Sequence, residues 1–157
     1  MAKKVKTADG KKKAVIGNTE FFAQLAAASR NSRTLLSRQL LSVGLYAGQD
    51  SVILALDAED GQPLSSIAGS LGVRAPTMTK TINRLVSQGF VEKRGSETDG
   101  RQSHVYLTSA GRDAVKMVRK AIRKSQKAAT EGIGQKDFKT LMKLLKKLEQ
   151  NIETALQ

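Results

Sequence analysis

The chain has 157 residues, 39% hydrophobic and 4% aromatic, which suits one domain or a compact core with helical appendages. Basic residues outnumber acidic ones 27 to 14, for a net charge of +13 that favours polyanionic partners, nucleic acid first. With no cysteine and a single histidine, His104, the composition excludes disulfides, thiol redox sensing, cysteine nucleophiles and His/Cys metal clusters.

Enzyme signatures are equally absent. The sequence holds no P-loop, no Gly-rich dinucleotide fingerprint and no GxSxG elbow. The expectation is therefore a protein without catalytic residues, cofactor or metal. No apolar run approaches the ~20 residues that span a bilayer, and the basic N-terminus lacks the apolar stretch of a secretory signal. A cytoplasmic protein with no membrane partner is expected.

In chain order, residues 1–16 read as a flexible lysine-rich tail, six lysines against one aspartate over its first 13 positions. Thr19 is placed to cap a long helix with Phe21, Phe22, Leu25, Leu36, Leu40 and Val43 among its apolar positions, its end bracketed by Gly44 and Gly48. A second helix, QDSVILALDAE, puts Val52, Ile53 and Leu56 on one face and stops at the Asp60-Gly61 turn. Pro63 opens a short third helix, PLSSIAGSL, with Leu64, Ile67, Ala68 and Leu71 inward. After the break at Leu71-Gly72-Val73, a fourth helix runs to about Gln88, with Gly89 as the residue just past its end. Phe90 to Arg94 and Ser103 to Leu107 read as two strands of a hairpin around a turn-rich loop, Gly95 to Gly100. Thr108 caps a long helix that Gly132 and Gly134 end. The last segment carries Phe138, Leu141, Leu145, Leu148 and Ile152 at alternating spacings of three and four, a narrow stripe suited to helix pairing.

Two short helices across a glycine-containing break, then a hairpin, form the winged helix-turn-helix pattern. The expected class is mainly α with a small β-hairpin wing. The head spans 48–111, and helical dimerisation segments span 17–47 and 112–157.

On the fourth helix, at ~100° per residue, Met78, Ile82, Leu85 and Val86 share an inward face with Ala75 beside them. The opposite arc holds Pro76, Lys80, Asn83, Arg84 and Ser87, flanked by Thr77 and Thr79; Thr81 falls near the core boundary. Residues at the N-terminal end of such a helix reach base edges most easily, which favours Thr77, Thr79 and Lys80. A threonine methyl can pack on a thymine methyl while its hydroxyl bonds a base or phosphate. Arg84 lies a turn later, and Arg74 in the preceding turn suits a backbone contact. Ser65 and Ser66 open the third helix, where hydroxyls serve either as caps or as phosphate contacts. Arg112, Lys116, Arg119, Lys120, Arg123, Lys124 and Lys127 fall within ~140° of arc on the helix after the wing. That stripe reads either as a solvated face or as a phosphate-tracking surface. His104 reads as structural or solvent-facing.

The run GLYAGQDSVILAL, PLSSIAGSLGV, TMTKTINRLVSQGFVEKR, the loop DGR and VYLTSAG resembles the MarR family of bacterial transcription regulators, over roughly Leu35 to Val118. The wing is the most specific element: a strand ending in Arg94, then Asp99-x-Arg101, then Leu107-Thr108-x-x-Gly111. The resemblance implies a homodimer with interlocked terminal helices and one reading head per subunit. It implies that the fourth helix enters the major groove of double-stranded DNA, and that Arg101, braced by Asp99, reaches the minor groove from the wing tip. Gly100 departs from the pattern, because the family often has a second basic or polar residue there. A repressor acting on pseudo-palindromic operators is further implied, as is a small phenolic or other aromatic effector in a cleft between head and dimer helices, with ligand-binding residues that the sequence leaves unknown. The alternative is an architectural or nonspecific nucleic-acid-binding protein, which the charge and the lysine-rich ends support.

Overall fold

The computed structural model describes residues 20–95 and 103–157. The lysine tail, the cap expected at Thr19, and the wing-tip residues Asp99, Gly100 and Arg101 lie outside the described residues. The elements run α1 (Phe21–Leu41), α2 (Gln49–Ala58), β1 (Gln62–Pro63), α3 (Leu64–Ser70), α4 (Ala75–Ser87), β2 (Val91–Gly95), β3 (Ser103–Leu107), α5 (Ser109–Ala129) and α6 (Gln135–Ala155).

Three of these helices stop in the same way. Gly44, Gly72 and Gly89 adopt φ of 77°, 61° and 76°, which an L side chain resists. The amide of each following residue turns back to the helix: Leu45 donates to the Leu40 carbonyl at 3.0 Å, Val73 to Ala68 at 2.9 Å and Phe90 to Leu85 at 2.9 Å. Those three residues are apolar, and all pack into or against the core. A glycine-apolar pair thus ends the helix and drives the next segment inward.

The core collects Leu40 from α1 and Leu45 from the turn after it, Val52, Ile53 and Leu56 from α2, Ile67 and Ala68 from α3, and Met78, Ile82 and Leu85 from α4. Val91, Val105 and Leu107 come from the sheet, and Ala114, Val115, Val118 and Ala121 from α5. The first half of α5 therefore packs with α2 in the head, and one core runs from the head into the base of α1 and α5. Each large aliphatic side chain so buried contributes about 1.5–3 kcal/mol.

Two details depart from the sequence reading. Val86, placed on the inward face, is exposed; Met78, Ile82 and Leu85 define the buried arc, and Val86 lies ~80° round from Met78, beyond its edge. The wing is also more than a hairpin. β1 pairs antiparallel with β3, Gln62 opposite Val105 and Pro63 opposite His104, so the sheet has order β1-β3-β2. Two residues ending in a proline carry no alternating pattern, so this edge strand leaves no period-2 signal. Pro63 is consequently the extended cap of α3 as well as a strand residue.

The wing and α5 are stitched together at Thr108. Its hydroxyl accepts the Gly111 amide at 3.0 Å, capping α5 as expected, and donates to the Gly89 carbonyl at 2.6 Å, while its own amide donates to Phe90 O at 3.1 Å. In contrast, α6 buries nothing. Leu141, Leu145 and Ile152 of its stripe are 40%, 41% and 37% exposed, and Phe22 at the start of α1 is 71% exposed.

Candidate nucleic-acid interface

The face of α4 opposite the core is where the sequence placed its reading residues. Arg74, Pro76, Thr77, Lys80, Asn83 and Arg84 are all exposed there. Arg74 is the extended residue before the helix, and its carbonyl accepts the amides of Thr77 (3.0 Å) and Met78 (3.1 Å). Pro76 falls in the first turn, where no intrahelical amide is missed.

The three threonines separate. Thr77 is exposed, whereas Thr79 and Thr81 are half-buried, and their hydroxyls donate to the carbonyls of Ala75 (2.9 Å) and Thr77 (3.1 Å). A hydroxyl bonded back in this way keeps lone pairs to accept but has spent its donor. Ser65 and Ser66, in the first turn of α3, are both exposed.

Two further contacts tie α4 to its surroundings. Lys93 of β2 donates from Nζ to Asn83 Oδ1 at 2.7 Å. At the helix end, Gln88 accepts from the buried Gln49 amide at 2.6 Å and donates to the Gly44 carbonyl at 3.0 Å, while Gln49 Oε1 accepts the Tyr46 amide. The end of α1, the start of α2 and the end of α4 are thereby pinned at one point. Lys93 was absent from the residues singled out by sequence. Its signal is the two-residue strand period, which puts it on the same side as the buried Val91, toward α4.

Arg94, expected at the interface, sits 4.5 Å over the Tyr106 ring, and its Nε donates to Glu92 at 3.0 Å. Its guanidinium is thus held along the wing strands. The basic stripe of α5 is partly neutralised at its head end. Arg119 pairs with Asp57 at 2.6 Å, Arg112 with Asp60 at 3.6 Å, and Lys116 with Asp113 at 3.3 Å. Among the described residues, no cluster of His, Cys, Asp and Glu could hold a metal ion, and no helix is long and apolar enough to cross a membrane.

The MarR family model matches residues 45–103, from the turn between α1 and α2 to the first residue of β3. The head is thus similar to MarR-family domains. The likeness of fold extends over whole MarR chains. The apo form of wild-type MarR from E. coli is 22% identical, with a TM-score of 0.72 over 82% of this chain and 95% of that one. A mutant of the same protein, complexed with operator DNA, is 22% identical with a TM-score of 0.75 over 83% and 94%. A MarR transcriptional regulator from Methanosarcina mazei Go1 is 19% identical with a TM-score of 0.76 over 88% and 93%. At these identities the likeness is one of fold: a winged helix head flanked by long helices.

Proposed function

We propose that this protein is a dimeric, sequence-specific DNA-binding transcription regulator, acting as a repressor rather than as an enzyme. The observation that carries this reading is the outward face of α4, where Arg74, Thr77, Lys80, Asn83 and Arg84 stand exposed in a row on a head similar to MarR-family domains. A protein of the same fold, solved with operator DNA, supports it. In this reading α4 enters the major groove, Ser65 and Arg74 meet the backbone, and Arg101, with Asp99 beside it, reaches the minor groove, whose negative potential attracts arginine. Arg94 serves from the wing strand, and Thr79 contributes its methyl and its remaining acceptor capacity.

The dimerisation region is residues 17–47 and 112–157, around the head at 48–111. Support comes from the uncovered apolar stripe of α6 and the exposed phenylalanines of α1, surface that a second copy would bury. The effector is a small aromatic molecule. The groove between α1 and the head, lined by Arg33, Leu36, Leu40, Asp50 and Val73, is the place that suits it.

Selection of bound sequences from a random duplex pool tests the whole reading. The expected result is a pseudo-palindrome with half-sites about one helical turn, ~34–36 Å, apart. If no sequence is enriched over bulk DNA, the architectural alternative, favoured by the net charge of +13, replaces it.

A further inference from the structure

The bond between Lys93 and Asn83 restricts what Asn83 can read. A lysine ammonium only donates, so the Asn83 atom 2.7 Å from Nζ is the amide oxygen, whichever way the amide is drawn. What Asn83 keeps wholly free is its NH2 group with two donors, while its oxygen has given one of two lone pairs to the lysine. Its residue is exposed on the face of α4 that also carries Lys80 and Arg84.

Asparagine commonly reads adenine with both ends of its amide, the oxygen accepting from N6 and the nitrogen donating to N7. Here the oxygen is engaged, and a positive charge stands beside it. An N6 or N4 amino group brought to that place meets an ammonium and an oxygen with one lone pair already occupied. A guanine edge, with O6 and N7 both accepting, meets only donors.

We propose that Lys93 is a specificity-determining positioning residue: from the wing strand it biases Asn83 to read through its NH2 donors, with preference for an acceptor-only base edge, guanine first. The inference rests on the regulator reading and adds to it a direction of base preference. It also gives β2 a role that does not depend on the wing tip, because the strand reaches the major-groove face through Asn83.

The test is selection from a random duplex pool with the full chain, its Asn83→Ala, Asn83→Asp and Lys93→Met variants. Asn83→Ala locates the base pair that Asn83 reads, as the position whose preference it erases. The wild type should enrich guanine over adenine there. Lys93→Met frees the oxygen and should shift that same position toward adenine, reducing the guanine-to-adenine ratio by about tenfold, while the other positions keep their preferences. Asn83→Asp keeps a partner for Lys93 but loses both donors, and should erase the guanine preference. Both side chains are exposed, so circular dichroism should report a folded protein throughout. If Lys93→Met lowers affinity equally for all sequences, Lys93 is a phosphate contact and the proposal is overturned. Adenine at that position in the wild type overturns it as well. A wild type that enriches no sequence defeats the regulator reading first, a result distinct from either.

Discussion

Gly69→Ala and Gly111→Ala place the same substitution in two helices, and the structure gives them opposite signs. Alanine is the better helix former by about 0.8–1.0 kcal/mol, so propensity alone would have both variants stabilised. At Gly69, inside α3, an added Cβ meets nothing within 4 Å, and the gain should appear as about 0.5–1 kcal/mol. At Gly111, in the first turn of α5, the Cβ would lie 2.0 Å from the Phe90 carbonyl oxygen and 3.0 Å from Leu107 Cδ2. An ordinary carbon–oxygen contact is ~3.3 Å or more, so the start of α5 would have to retreat by more than about 1 Å. That retreat strains the Thr108 amide bond to Phe90 O at 3.1 Å and the hydroxyl bond to Gly89 O at 2.6 Å. Two such bonds at about 1 kcal/mol each, with an overpacking cost of ~1–3 kcal/mol, outweigh the propensity gain. The net expectation for Gly111→Ala is a loss of about 2–4 kcal/mol. Urea unfolding followed by far-UV circular dichroism, at one fixed protein concentration, reads both variants, and the midpoint should fall by roughly 1–2 M for Gly111→Ala and rise slightly for Gly69→Ala. A midpoint for Gly111→Ala at or above that of the wild type would refute the steric argument.

Asp60 accepts the Leu107 amide at 2.9 Å and the Gly61 amide at 3.1 Å, so Asp60→Ala should cost about 1–3 kcal/mol, seen as a melting temperature lower by ~2–4 °C per kcal/mol, with Asp60→Asn losing less. An unchanged melting temperature for Asp60→Ala would contradict the role of that carboxylate. Leu145→Glu puts a charge into the exposed stripe of α6 and should shift the protein toward monomer in sedimentation at micromolar concentration; an unaltered dimer would remove α6 from the seam. Arg101→Ala should weaken operator binding by about 1–3 kcal/mol and lower the salt slope by about 1 with the dimer intact. Arg119, already paired with Asp57, should leave that slope nearly unchanged when replaced by alanine, and a loss as large as that of Arg101→Ala would show the α5 stripe tracking phosphates.

The helices, their ends and the two hairpin strands were legible because their signals are local. Glycine just past the helix end, an apolar residue after it, a threonine cap and a repeat of 3.6 or 2 all act within about five positions. The outward face of α4 was legible for the same reason: once Met78, Ile82 and Leu85 are inward, Lys80, Asn83 and Arg84 must point away. Pairings between distant segments were not. β1 exists only because Gln62 and Pro63 arrive beside β3, about 40 positions later, and two residues carry no strand signal of their own. Composition could count the arginines of α5 but could not say that Asp57 of α2 and Asp60 of the turn after it hold two of them. Val86 looked inward on a helical wheel, yet the neighbours that would cover it end at Ile82 and Leu85. Periodicity and capping belong to the chain's own local geometry, and the sequence by itself determined a winged helix head with a polar outward face on α4. Which atom of Asn83 is already engaged, which basic side chains are already paired and why Gly111 tolerates no side chain depend on surfaces brought together across the core, and only the tertiary structure decided them.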